Sequence, residues 1–151
     1  MKVAIQTETF DVGIEMAAIS HNRTDIGAIA SFVGLARDMN SGSEVSAMTL
    51  EHYPAMTGKA LAAIVDQAMQ RWPLLDVSVI HRVGRLLPGD PIVLVIVAAS
   101  HRAEAFAACE FLMDYLKTQA PFWKKEATPD GERWVDARES DNTAAERWVR
   151  D

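Results

Sequence analysis

From Ile92 to Ala99 the chain reads Ile-Val-Leu-Val-Ile-Val-Ala-Ala, without a polar side chain. A run this short falls well below the roughly 20 apolar residues that cross a bilayer as a helix. Apolar at every position, it predicts a strand covered on both faces, and therefore central in a sheet. Its flanks agree. Leu87-Pro88-Gly89-Asp90 is a strong turn signal just before it. Just after it, Ser100-His101-Arg102 opens a predicted helix to about Thr118, with Ser100 as a possible cap and Phe106, Cys109, Leu112 or Met113, and Leu116 on the inner face.

The other segments arrange themselves around that strand. Val3 to Gln6 reads as a short strand. Asp11 caps a predicted helix running to about His21, whose apolar face is Ile14, Ala17, Ala18 and Met16. Ile26 to Gly34 is apolar and punctuated by glycine, as in a buried strand that another backbone approaches closely. Arg37 to Ser46, with Asn40-Ser41-Gly42-Ser43 at its centre, is the most loop-like segment and a candidate mobile flap. Ala47 to Tyr53 predicts a strand. Pro54 starts a helix carrying Leu61, Ile64, Val65, Ala68, Met69 and Trp72 at three-and-four spacing, and Pro73 ends it.

Val77, Val79, His81 and Val83 alternate, predicting a strand with one covered face. Phe122 to Ala127 and Arg133 to Ala137 flank Thr128-Pro129-Asp130-Gly131, a hairpin signature. The tail from Glu139 is polar except for Ala144, Ala145, Trp148 and Val149, which suits a short amphipathic helix or a partner-docking tail. Strands and helices intermix without repeats or linkers. The expected class is α+β, a single domain over 1–151 with a mixed sheet, about three main helices and a C-terminal hairpin.

Charge narrows the function. The net charge of -6 argues against broad binding to nucleic acid, which normally needs a basic face. Lys117 to Glu126 is nevertheless locally basic, with Lys117, Lys124 and Lys125 around Phe122, Trp123 and Pro121. Stripping water from an ammonium costs several kcal/mol, roughly, unless an anion compensates. These lysines therefore read either as the edge of an anion-binding pocket or as a solvated loop whose aromatics anchor it. Lys124 and Lys125 point to opposite faces of their strand, so only one can enter a pocket on one side.

Further cations are candidates. Ser100-His101-Arg102 lies at a helix N-terminus, where exposed N–H groups and the helix dipole favour anions. The alternative is that Arg102 merely starts the helix and His101 caps it. Along that helix Lys117 is roughly 22 Å away, so one subunit alone brings them together only through other geometry, or the site crosses a subunit interface. Arg37 sits at a strand end, either at the site or simply in solvent.

The lone Cys109 falls on the packed helix face, where a thiol is seldom reactive, and it permits no internal disulfide. The histidines show no ligand spacing, so neither a metal nor a resident cofactor is expected. Walker, GxGxxG and GxSxG motifs do not occur. The N-terminus lacks the apolar core of a signal peptide, giving an expectation of a soluble, cytoplasmic protein that does not enter membranes.

Several uncommon words occur together: Leu50-Glu51-His52-Tyr53-Pro54, Val79-Ile80-His81-Arg82-Val83-Gly84, Ser100-His101-Arg102, Met113-Asp114-Tyr115-Leu116-Lys117-Thr118, and Ala120-Pro121-Phe122-Trp123-Lys124-Lys125-Glu126. In their order and spacing the chain resembles the large, catalytic subunit of molybdopterin synthase over nearly its whole length. The resemblance implies an α/β hammerhead fold and a homodimer within a heterotetramer. It also implies a small ubiquitin-like sulfur-carrier partner whose C-terminal Gly-Gly thiocarboxylate enters a pocket. There sulfur passes to cyclic pyranopterin monophosphate, a sulfurtransferase reaction of molybdenum cofactor biosynthesis.

On this resemblance Lys117 and Lys124 are catalytic and bind substrate. Arg37, His101 and Arg102 anchor substrate, Lys125 and Glu126 flank Lys124, and Leu35 and Ala36 join the binding stretch beside Arg37. Arg138 reaches the neighbouring subunit's pocket. Relatives often have a basic residue where this chain has Leu35, so one peripheral anion contact is missing. Competing readings are a non-catalytic module that binds a ubiquitin-like partner and a phosphoester hydrolase with a cationic pocket.

Overall fold

The structure, a computed structural model, describes residues 1–40, 42–135 and 139–149. In chain order the elements are β1 (Lys2–Gln6), α1 (Val12–Ser20), β2 (Ala28–Leu35), β3 (Met39–Asn40), β4 (Ser43–Glu44), β5 (Ala47–His52), α2 (Pro54–Arg71), β6 (Leu74–Arg82), β7 (Gly84–Leu86), β8 (Pro91–Ala99), α3 (Arg102–Gln119), β9 (Phe122–Thr128), β10 (Gly131–Val135) and α4 (Glu139–Glu146). One four-stranded sheet has the order β1-β6-β8-β2, and a second has the order β10-β9-β5-β7. The first is mixed: β1 runs parallel to β6, while β6 and β2 flank β8 antiparallel.

The apolar run is the inner strand β8, and its pleat explains why it carries no polar residue. Val93, Val95 and Val97 pack against Leu61, Ile64 and Val65 of α2 and Ala108, Phe111 and Leu112 of α3. Leu94, Ile96 and Ala98 face the other way, toward Ile19 and Met16 of α1. Each fully buried aliphatic side chain contributes about 1.5–3 kcal/mol relative to exposure. Gly27, just before β2, marks the expected close approach of backbones. A Cβ there would lie 2.1 Å from the carbonyl oxygen of Ser100.

Several expectations are corrected. In α1 the buried line is Val12, Met16 and Ile19, while Ile14, Ala17 and Ala18 face outward. Asp11 does cap this helix, its Oδ1 accepting from the Ile14 N–H at 2.9 Å. Phe106 is 66% exposed, and the inner face of α3 instead carries Ala105, Ala108, Cys109, Phe111, Leu112, Tyr115 and Leu116. Strand β6 is covered on both faces, since Val77 and Val79 join the α2–α3 core and Ile80 joins the α1 core. The Arg37–Ser46 segment contains the small β3–β4 hairpin.

The second hairpin strand spans Gly131–Val135, and the remainder of its expected range lies outside the described residues. Tail residues form α4, a fourth helix. The following turn is fixed by Trp148, whose Nε1 donates to Asp114 at 2.7 Å and whose carbonyl accepts from Arg71 at 2.8 Å. No helix among the described residues is long and apolar enough to cross a membrane.

A cationic cavity between the two sheets

The second sheet has its own small core of Met48, Leu50 and Leu86, with Ala36 and Ile92 beside it. Above this floor lies a cavity of about 410 Å³. Arg37 enters it from the end of β2, Lys117 from the last turn of α3, and Lys124 and Glu126 from β9; Asp141 of α4 closes one side. A second cavity of about 430 Å³ shares a wall with it, formed by Leu35, Arg37, His81, Ile92, Leu116 and Lys117. Ala36 also lines the first cavity and is buried.

The pleat of β9 decides between the adjacent lysines. Phe122, Lys124 and Glu126 turn to the cavity. Lys125 turns away: its Nζ lies 3.2 Å from Glu132 and 5.4 Å from the ring centre of Trp134, its cross-strand neighbour. Lys125 therefore lines neither cavity, unlike Lys124.

Glu126 is only 3% exposed, and an ionised carboxylate there needs compensation. Asn40 Nδ2 donates to both of its oxygens at 3.0 Å. Arg133 Nη2 donates to Oε1 at 3.3 Å and to the Asn40 carbonyl at 3.1 Å, while Lys124 Nζ stands 3.9 Å from Oε2. The carboxylate thus ties the β3–β4 segment to the β9–β10 hairpin and holds Lys124 on the cavity side. Among the described residues, the side chains of Arg37 and Lys117 have no hydrogen bond or ion pair, leaving their charge to an incoming anion.

The wall also contains His81, which lies in the Val79–Gly84 motif and is not among the site residues expected from the sequence. It is buried and stacks on Phe122, ring centres 3.9 Å apart and planes 17° apart. Its Nδ1 is 2.8 Å from the Arg82 carbonyl oxygen. Burial, aided by the charges of Lys117 and His52, pushes its pKa down to about 4, although the bond to the Arg82 carbonyl acts in the opposite direction. The ring is therefore neutral near pH 7. Its depressed folded value sets the sign of the pH effect. Stability from this group is complete above about pH 6.5 and is lost as pH falls through about 4, by about 3 kcal/mol in all. Urea titrations of wild type and His81→Gln between pH 7 and 4 should show this loss in the wild type and a flatter dependence in the variant.

Cys109 has its thiol pushed up to about 11, chiefly by burial and secondarily by Glu110, so it offers no thiolate at neutral pH. Among the described residues no three His, Cys, Asp or Glu side chains gather as a metal-binding group.

His101 and Arg102 line neither cavity. Both are exposed at the N-terminal end of α3, with the whole helix between them and Lys117. His101 occupies the N-cap position without a side-chain cap bond, so neither Ser100 nor a histidine hydrogen bond performs that role. Arg138 lies outside the described residues. Asn40 carries no local mark of Glu126, 86 residues away in sequence, and Arg133 none of the Asn40 carbonyl, 93 residues away.

Comparison with known proteins agrees with this architecture. Residues 5–119 match the family model described as MoaE protein. The molybdopterin synthase catalytic subunit of Ralstonia nicotianae is 64% identical, over 97% of this chain and 83% of that protein. The Escherichia coli K12 protein of the same name is 56% identical, over 97% of each. A solved molybdopterin biosynthesis MoaE protein from Burkholderia ambifaria superposes with a TM-score of 0.84 at 59% identity, covering 98% of this chain and 97% of that one. The chain belongs to the MoaE protein family.

Proposed function

We propose that this protein is a catalytic subunit of molybdopterin synthase, an enzyme of molybdenum cofactor biosynthesis. It moves sulfur from the thiocarboxylated C-terminus of a small ubiquitin-like carrier to cyclic pyranopterin monophosphate. The observation that carries this reading is the convergence of Arg37, Lys117 and Lys124 on one cavity whose most buried carboxylate, Glu126, is already engaged. Such a cavity suits two anions, a phosphate and a thiocarboxylate, held by charge-assisted hydrogen bonds.

The carrier's sulfur brings its own nucleophilic electron pair. Two carriers act in succession. In each round a carbon–sulfur bond forms on the pterin side chain as a carbon–oxygen bond there breaks, and water cleaves the acyl–sulfur bond to leave a carboxylate on the carrier. Over the two rounds one oxygen leaves with the opened phosphate and the other as water. No cysteine of the enzyme is needed, consistent with the buried, protonated Cys109. Lys117 and Lys124 hold the anions and stabilise charge as the cyclic phosphate opens and sulfur adds, each in reach of a proton transfer. His101, Arg102 and Arg138 serve the cavity of a neighbouring subunit in a homodimer within a heterotetramer. That arrangement resolves their separation from Lys117 along α3.

The test is direct. Purified protein, thiocarboxylated carrier and the pterin monophosphate are mixed, and dithiolene product is measured. Product dependent on all three supports the reading, and its absence with folded components rejects it. The β9 pleat adds a contrast. Lys124→Ala should lower turnover by about a hundredfold, the scale of losing one preorganised charge contact. Lys125→Ala should remain within about threefold of wild type, because it loses a surface ion pair and a contact with the Trp134 ring, both away from the cavity.

A further inference from the structure

The cavity wall carries a group whose chemistry differs from that of the cations around it. The Arg82 carbonyl can only accept, so the 2.8 Å contact requires the proton of neutral His81 to sit on Nδ1. Nε2 then bears a lone pair. Among the described residues no side chain donates to it, and the ring borders both cavities. The ring lines both cavities and cannot readily swing away, being stacked flat on Phe122 and anchored at Nδ1. A histidine held this way does not act as another anion-binding cation.

We propose that His81 is a substrate-binding residue of this site, its Nε2 accepting a hydrogen bond from a ring N–H or amino donor of the heterocycle whose phosphate the lysines hold. The assignment rests on the proposed pterin monophosphate reading and deepens it. Phosphate contacts alone would admit any phosphorylated molecule of suitable size. An acceptor fixed in a partly desolvated wall selects ligands with a donor at that point, because an analogue without one leaves the lone pair unmatched. Lys117 has a separate role as a cation at the same wall.

The test compares His81→Phe, which keeps an aromatic ring against Phe122 but removes the acceptor, with His81→Gln, which keeps an acceptor oxygen. His81→Leu replaces the phenylalanine variant if thermal melting shows that Phe overpacks the strand. Steady-state transfer is measured at pH 7 with saturating carrier and varied pterin. The expected result is a KM for pterin raised about tenfold or more in the apolar variant, the scale of one lost buried hydrogen bond. kcat should stay within about threefold, and Gln should recover most of the KM loss. An unchanged KM in a folded apolar variant overturns the assignment, as does a KM in His81→Gln as poor as in His81→Phe. Wild type that fails to convert the pterin at all rejects the function itself and this assignment with it. Wild-type turnover with an unaltered variant KM rejects only the role of His81.

Discussion

Lys117→Ala should lower sulfur transfer by about a hundred- to a thousandfold while leaving carrier affinity within about threefold. The magnitude is that of removing one preorganised charge from a site where charge develops during the reaction. Lys117 projects from the last turn of α3 into both cavities, and its side chain has no hydrogen bond or ion pair among the described residues. Its energy is therefore reserved for the ligand, and truncation should cost little stability. A stable protein–protein interface buries roughly 800 Å² per partner, so losing one ammonium should leave carrier affinity nearly unchanged. Single-turnover kinetics with thiocarboxylated carrier, alongside a titration of carrier binding, separate the two quantities. Full turnover in the variant would remove Lys117 from the mechanism.

Glu126→Ala should have the largest effect on stability, about 3 kcal/mol in urea unfolding at pH 7. Removing the carboxylate takes the Glu126 acceptor from the buried Asn40 amide and the Glu126 counter-charge from two part-exposed cations, Lys124 and Arg133. Asn40 would lose both carboxylate contacts, and Arg133 would lose its cross-strand acceptor on β9, keeping the Asn40 carbonyl. Asn40→Ala alone should cost about 1 kcal/mol, a typical net hydrogen bond. The double variant should cost less than the sum, because the two side chains share one interaction. Activity should fall with stability in Glu126→Ala, since Lys124 loses the carboxylate 3.9 Å away that draws it to the cavity side. A stability loss below about 0.5 kcal/mol would show that the network is not the tie between these segments.

These two residues also show what a linear reading captures. Lys117 and Lys124 stood out because basic residues beside aromatics and a proline are chemically unusual, and folding does bring them to one cavity. The choice between Lys124 and Lys125 needed the pleat direction, which period-two alternation leaves ambiguous until a partner strand is known. Strand β8 was legible because burial on both faces removes every polar residue from it. Helix α1 was misjudged because apolar residues encircle much of it, and only packing reveals that Val12, Met16 and Ile19 are the inner line.

Phe106 failed for a related reason. A large apolar side chain at helical spacing reads as core, yet α3 turns the small residues Ala105 and Ala108 toward the sheet, and Phe106 is left exposed. The Asn40–Glu126–Arg133 network and the neutral state of His81 depend on contacts between segments distant in sequence. His101 and Arg102 show the reverse case. Their residue types suit an anion, but α3 holds them at the end opposite Lys117.

The most direct measurement is a crystal structure with thiocarboxylated carrier and pterin monophosphate bound together. Lys117 and Lys124 Nζ should each lie within about 3 Å, a hydrogen-bonding separation, of the carrier's terminal group or the phosphate. Tail and phosphate seated elsewhere, with both amines directed into open solvent, would contradict a shared cationic cavity as the place of sulfur transfer.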